Sequence, residues 1–166
     1  SFSGAVTFGG PVTLSTTTSL QVPAVQVKVS ADVNVANATW TGLSWDSQEF
    51  SNAGMHSTTS NSSRVTFAQS TGLYAYGANT AWRIAGPCNL EMRVRINDTS
   101  AGASIVNSVP ATGSTAFALS VTGLLRVAST ADYITVLVRH DAGSSQSIAA
   151  ASSLYVTECW AHKVSV

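Results

Sequence analysis

Charged residues are scarce in this sequence. Eight of its 166 residues are Lys or Arg and eight are Asp or Glu, so 10% are charged, whereas globular chains have about 25%. Such a chain has to cover its surface with Ser, Thr and Asn or bury part of it against other chains. We therefore expect a subunit of an assembly. The formal net charge is zero and Arg93 and Arg95 are the only close basic pair, which excludes the basic surface that nucleic-acid binding needs.

Long apolar runs are also lacking. The first charge is Lys28, and the residues before it are rich in Ser, Thr, Gly and Pro, so we predict neither a membrane-spanning helix nor a signal peptide with a basic start. The 45% of apolar residues excludes disorder by composition. Cysteine is limited to Cys88 and Cys159. Their spacing leaves a disulfide and two separate buried thiols equally open, and the cellular compartment with them.

Alternating apolar and polar residues dominate, and no stretch has a convincing helical period. The alternation is clearest in 24–35 and in Leu90–Ile96, which is typical of half-buried strands. The other predicted strands are 40–46, 65–67, 73–82, 105–109, 117–127, 133–140 and 154–164, with 47–63 as a polar connection. About eight to ten short strands with regular turns predict an all-β sandwich or jelly roll.

The first 22 residues differ from the rest. Short apolar pieces alternate there with Gly and Pro, and such pieces cannot bury themselves within one chain. We therefore divide the sequence into an extended N-terminal arm or stalk segment for attachment, 1–22, and a head, 23–166. A plain flexible arm is the alternative. The arm's candidate contact residues are Phe2, Val6, Phe8, Val12 and Leu14.

Aromatic residues of the predicted strand 73–82 indicate a surface between subunits. Tyr74, Tyr76 and Trp82 alternate out of phase with Leu73. If other strands already supply the core, these rings lie on an outer face and meet other copies. The alternative is that the aromatic phase faces the core and the small residues face outward. Tyr155 and Trp160 are further interface candidates.

Residues that carry chemistry do not form a recognisable catalytic or metal-binding pattern. His140 and Asp141 are neighbours, so on a strand they point to opposite faces. His56, His162 and Cys88 have no partner at a spacing typical of a nucleophile or metal site. We predict no enzyme activity, no cofactor and no bound metal.

Several short motifs carry a family resemblance. The residues 40–50 read WTGLSWDSQEF, and GMH at 54–56, SRVT at 63–66, GLY at 72–74 and DYITV at 132–136 follow in order. In this order the residues from 24 to 166 resemble the C1q/TNF-like jelly roll found in bacteriophage fibre and receptor-binding proteins and in bacterial collagen-like proteins. The resemblance implies a ten-stranded antiparallel jelly roll that assembles as a homotrimer and binds rather than transforms its partner.

One departure from the family concerns cations. Family members often carry acidic residues before the Gly-Met-His motif, but here Ser51, Asn52 and Ala53 stand there, with Asp46 and Glu49 nearby. A hard cation needs several oxygen ligands, so calcium is not expected in this loop.

The resemblance favours a non-enzymatic virion protein: a phage fibre tip or receptor-binding head, or a capsid-attached fibre or decoration protein. Its partners would be its own copies, other virion proteins through the arm, and a glycan or protein of the host cell surface. The alternatives are the trimerising head of a bacterial collagen-like protein, on the cell surface or secreted, and a lectin module. No Gly-X-Y repeat precedes the head in this sequence, which weighs against the collagen-like alternative.

Overall fold

Two antiparallel β-sheets pack face to face in this protein. The computed structural model describes residues 22–68, 70–99, 105–111, 116–150 and 156–164, and these ranges contain strands and turns without a helix. Their twelve strands are β1 Ala24–Lys28, β2 Val33–Val35, β3 Thr41–Gly42, β4 Ser47–Ser51, β5 Arg64–Thr66, β6 Gly72–Arg83, β7 Cys88–Ile96, β8 Ile105–Ala111, β9 Ala116–Val127, β10 Tyr133–His140, β11 Gln146–Ile148 and β12 Glu158–Lys163. None of the described segments is a helix that could span a membrane.

The first sheet is built around β6. One edge of β6 pairs with β9 over its whole length, and the other edge is shared by β12 and the short β11. The sheet then continues from β12 through β1 to β4, and from β11 to β2. Because β6 is hydrogen-bonded on both edges, it is a central strand of this sheet.

The second sheet is centred on β10. One edge of β10 pairs with β7, which in turn pairs with β8. The other edge is shared by β3 and β5. The two sheets together explain the alternating sequence, because each strand gives every second side chain to the space between them.

The core between the sheets contains large rings as well as aliphatic side chains. Trp45, Phe67, Tyr74 and Trp82 are among the largest fully buried residues. Phe67 packs on Tyr74 with ring centroids 4.7 Å apart, and Trp82 meets His140 edge to face at 5.7 Å. The valines of β1 and the apolar residues of β7 face the same core, as the alternation predicts.

The core also takes three residues that were assigned above to a subunit interface. Tyr74, Tyr76 and Trp82 are 1%, 3% and 0% exposed within a single chain, so the outward orientation predicted for them is wrong. The alternative orientation is the observed one: the aromatic phase of β6 faces inward, while Leu73 and Ala75 of the opposite phase remain partly exposed.

Several predicted strand boundaries also differ from the structure; the strand expected at 40–46, for example, is limited to Thr41–Gly42. The alternating stretch 24–35 is two strands, since the chain turns at Ser30, whose N–H and hydroxyl donate to the Asp46 carboxylate at 2.6 and 2.7 Å. The stretch 47–63, expected to be a connection throughout, begins with β4, which pairs with β1 and has no second partner among the described strands. These breaks, together with β11, raise the count to twelve strands against the ten implied by the resemblance.

Candidate interaction surface

The outer face of the first sheet carries large apolar side chains. Pairing across β4, β1, β12, β6 and β9 aligns one row that consists of Phe50, Gln26, Trp160, Gly77 and Thr122. The next row consists of Ala24, His162, Ala75 and Leu124. Directly opposed residues on antiparallel strands point to the same side, so these nine residues form one continuous surface, which we call the outer face.

This outer face is exposed in the single chain and has no charge in its middle. Leu124 is 67% exposed and Phe50 47%. The row on one side of the face contains Lys28 and Glu158, and Lys28 donates to Glu49 at 2.5 Å. The row on the other side contains Leu73 and the exposed Arg126. A contiguous apolar area with a polar rim is typical of a surface that other protein covers.

Trp160 lies flat against the sheet because Gly77 leaves room for it. A Cβ atom at Gly77 would come within 2.5 Å of the Trp160 ring. His162, two residues further along β12, stacks with the indole, and the two ring centroids are 5.5 Å apart. A shallow groove runs between β4 and β12 and is lined by Phe50, Gln26, Trp160 and His162.

A small polar network limits the groove on one side. Glu158 accepts one hydrogen bond from the amide of Gln26 at 2.6 Å and another from Asn79 at 2.9 Å. Its carboxylate is therefore held by neutral donors. The face thus offers aromatic and aliphatic contact area with a few fixed polar groups at the edge.

The residues proposed from sequence for this surface divide into three groups. Trp160 is on the outer face and partly exposed. Tyr74, Tyr76 and Trp82 are in the core. Tyr155 lies outside the described residues, as do the arm residues Phe2, Val6, Phe8, Val12 and Leu14.

Phe50 and Leu124 belong to the outer face and were missed. Phe50 is the one large apolar residue of the sequence Ser-Gln-Glu-Phe-Ser, which reads as a polar loop. Leu124 is the first of two adjacent leucines, and the β9 alternation assigns only Leu125 to the core. The out-of-phase leucine was the signal that could have identified this surface.

The two buried histidines have structural partners. His56 contacts the carbonyl oxygens of Arg64 and Trp45 at 2.9 and 3.1 Å. His140 Nδ1 accepts from the Ala142 N–H at 3.2 Å, so Nε2 is the protonated nitrogen and donates to the Val35 carbonyl at 2.9 Å. Asp141 is directed elsewhere and accepts from Asn89 at 2.7 Å.

Both cysteines are free, buried thiols. Burial, aided by the neighbouring Glu158, raises the pKa of Cys159 to about 12. Burial also raises the pKa of Cys88, with the charge of Asp141 acting in the same direction. At neutral pH neither side chain is a thiolate, the form that reacts as a nucleophile.

Carboxylates near the Gly-Met-His loop are used by the protein itself. The hydrogen bonds from Ser30 lower the pKa of Asp46, and Lys28 lowers the pKa of Glu49. Within the described ranges no three His, Cys, Asp or Glu residues are grouped closely enough to hold a metal ion.

Solved structures with the same fold cover nearly all of this chain. No protein-family model matches the sequence, and no curated protein matches it. The globular domain of zebrafish complement 1qA has a TM-score of 0.57 at 10% identity, over 86% of this chain and 98% of its own. Murine APRIL has a TM-score of 0.61 at 12% identity, over 87% and 100%.

A third similar structure is the PRD1 vertex protein P5, a phage protein. Its TM-score is 0.54 at 16% identity, and the match covers 87% of this chain and 98% of that one. Similarity at these identities concerns the fold and not the function. The two-sheet architecture described above is that of the C1q/TNF-like jelly roll.

Proposed function

We propose that this chain is a non-enzymatic virion protein that associates into a homotrimer through the outer face and takes part in attachment or adhesion. The observation that carries the proposal is the exposed apolar surface around Trp160, Phe50 and Leu124. Three copies that meet about a common axis would each present this surface to the next copy, and the arrangement would close without leaving a free apolar edge.

The energetic argument can be made from Leu124. Complete burial of a leucine side chain contributes about 1.5–3 kcal/mol. Two thirds of this side chain is exposed, so burial between copies would contribute about 1–2 kcal/mol for each copy. Ala75, in the middle of the face, has a small side chain and lets a neighbouring copy come close to the backbone there, which favours tight packing.

The virion assignment is supported by the similarity to the PRD1 vertex protein P5. In the proposed arrangement, residues 1–22 attach the head to another virion component. The second sheet then faces away from the common axis and is free to contact a host surface.

Self-association is tested by the native mass of the full chain. We expect a mass three times the 17.1 kDa of one chain by light scattering after gel filtration, and Leu124→Glu should shift it toward the single chain. Ala131→Glu places the same carboxylate in the exposed turn between β9 and β10 and should leave the mass unchanged. A wild-type protein that is monomeric at all concentrations would contradict the proposal.

The virion role is tested separately from the assembly. Capsid or tail genes beside the gene of this chain would support the role. A Gly-X-Y repeat in the full-length product would contradict it in favour of the collagen-like head.

A further inference from the structure

Two neighbouring arginines on the second sheet have no acidic partner. Arg93 and Arg95 alternate with the core residues Met92 and Val94 along β7, so both point away from the core. This surface is on the opposite side of the sandwich from the outer face. It would remain accessible when copies of the chain cover the outer face.

Every side-chain carboxylate has a partner other than these two arginines. All eight Asp and Glu residues lie in the described ranges. Four of them form the ion pairs Lys28–Glu49, Arg64–Asp98, Arg83–Asp32 and Arg139–Glu91. The other four accept hydrogen bonds from Ser30, Asn97, Asn89 and Gln26. None of these side-chain carboxylates pairs with Arg93 or Arg95.

The Nε atoms of both arginines are buried and have no hydrogen-bond partner among the described residues. A buried donor on a charged group is unfavourable when it stays unpaired. An oxyanion that draws the two guanidinium groups toward itself would satisfy donors that the chain leaves unused.

The spacing of the pair suits one oxyanion group. Residues two apart on a strand are about 6.7 Å apart, so two guanidinium groups can converge on a single carboxylate between them. Leu137 lies beside Arg93 and Thr135 beside Arg95 on the adjacent strand. The Thr135 hydroxyl donates to Asp98 at 2.8 Å, and Glu91 precedes Arg93 by two residues on the same face of β7. Both of these carboxylates are paired with other arginines, Asp98 with Arg64 and Glu91 with Arg139. The charges of Arg93 and Arg95 are therefore in excess on this face.

Two observations argue against a nucleic acid as the ligand of this pair. The Arg93 guanidinium covers the Trp40 ring at 4.2 Å, and the Arg64 guanidinium covers Tyr133 at 4.0 Å. Each ring therefore has one face already occupied, whereas single-stranded nucleic acids bind through bases stacked on open rings. A formal net charge of zero also provides little attraction for a polyphosphate.

We propose that Arg93 and Arg95 form a binding site for the carboxylate of an acidic glycan. The site would give the adhesion role its ligand class, and to that extent it depends on the proposed function. It does not depend on self-association, because its residues lie on the other sheet.

The test is calorimetric titration of the full chain with trigalacturonate, at low and at physiological ionic strength. We expect saturable binding that Arg93→Gln and Arg95→Gln each weaken by about tenfold or more, which is the effect of losing one charge-assisted hydrogen bond. Arg126→Gln is the matched control, because Arg126 is an exposed arginine of the first sheet that also lacks a carboxylate partner among the described ion pairs. The Arg126→Gln variant should bind trigalacturonate as tightly as the wild type does.

Two further variants keep the test decisive if the glutamine variants unfold. Arg93→Lys and Arg95→Lys retain the charge and lose the planar fork, and we expect them to melt like the wild type and bind more weakly. The proposal is overturned if trigalacturonate does not bind, if Arg126→Gln weakens binding as much as the other two, or if maltotriose binds equally well. Preferential binding of a sulfated or phosphorylated oligomer would also overturn it. Native mass, measured in parallel, reports on the proposed trimer independently.

Discussion

Gly77→Ala is the substitution whose effect the structure determines most directly. The added Cβ would lie 2.5 Å from Cε2 and Cζ2 of Trp160 and 2.7 Å from Nε1. Carbon atoms in contact are ordinarily about 3.5–4.0 Å apart, so the indole has to move by about 1 Å. It would then lose its flat position on β6, and the outer face would change shape at its centre.

Two opposing effects decide whether Gly77→Ala stabilises or destabilises the folded chain. Gly77 has no positive φ, so alanine fits the backbone there and, without the ring, would stabilise the chain by about 0.4–1 kcal/mol through the unfolded state. Overpacking of this kind costs about 1–3 kcal/mol. The clash prevails, and for a chain of this size we expect Tm to fall by about 2–8 °C.

The assay is thermal unfolding by circular dichroism, combined with native mass. Gly42→Ala is the matched control, because Gly42 is also in a strand and a Cβ there meets nothing within 4 Å. In a Trp160→Ala background the loss caused by Gly77→Ala should vanish or reverse. Equal melting temperatures for the two alanine variants, or an unchanged loss in the Trp160→Ala background, would refute the reasoning.

Three further predictions concern other parts of the head. His56→Ala leaves the carbonyls of Trp45 and Arg64 without their ring partner and should lower the free energy of unfolding by about 1–3 kcal/mol in urea titrations, whereas Ser60→Ala in the same loop should have little effect. The hydrogen bond from Asn97, with those from the Ser129 and Ala128 amides, lowers the pKa of Asp132 below 3.8. Because its folded pKa is below its unfolded value, this stabilisation is complete above the unfolded value and is lost as pH falls through the folded one. The free energy of unfolding should therefore decrease below about pH 4, and Asp132→Asn should flatten that decrease; an equally steep profile in the variant would contradict the assignment. A thiol reagent at neutral pH should label neither cysteine in the native chain and both after denaturation, and rapid native labelling of Cys159 would show that the thiol is not buried as described.

Sequence patterns were sufficient for the class of fold. The valines of β1 and the alternation of β7 correctly predicted which side chains face the core. The single strand predicted over 117–127 was also correct, since β9 runs from Ala116 to Val127. These features depend on the two-residue period of a strand, which is a local property.

The sequence of β6 by itself could not decide which of its side chains face the core. Its sequence alternates aromatic and small residues, so either phase could be inward, and the choice depends on whether the opposite sheet leaves space for rings. In the folded chain Phe67 and His140 contact the rings of Tyr74 and Trp82. The aromatic phase therefore fills the core, and the small residues are left for the outer face.

The sequence alone determined that this protein is a sandwich of antiparallel strands with a low-charge surface, because composition and period-two alternation are written in neighbouring residues. Only the tertiary structure decided which residues share a surface. Phe50, Trp160 and Leu124 come from three strands far apart in the chain, and strand register places them on one face of the sheet. Folding also decided that Arg93 and Arg95 have no acidic partner, because this depends on where all eight side-chain carboxylates are placed.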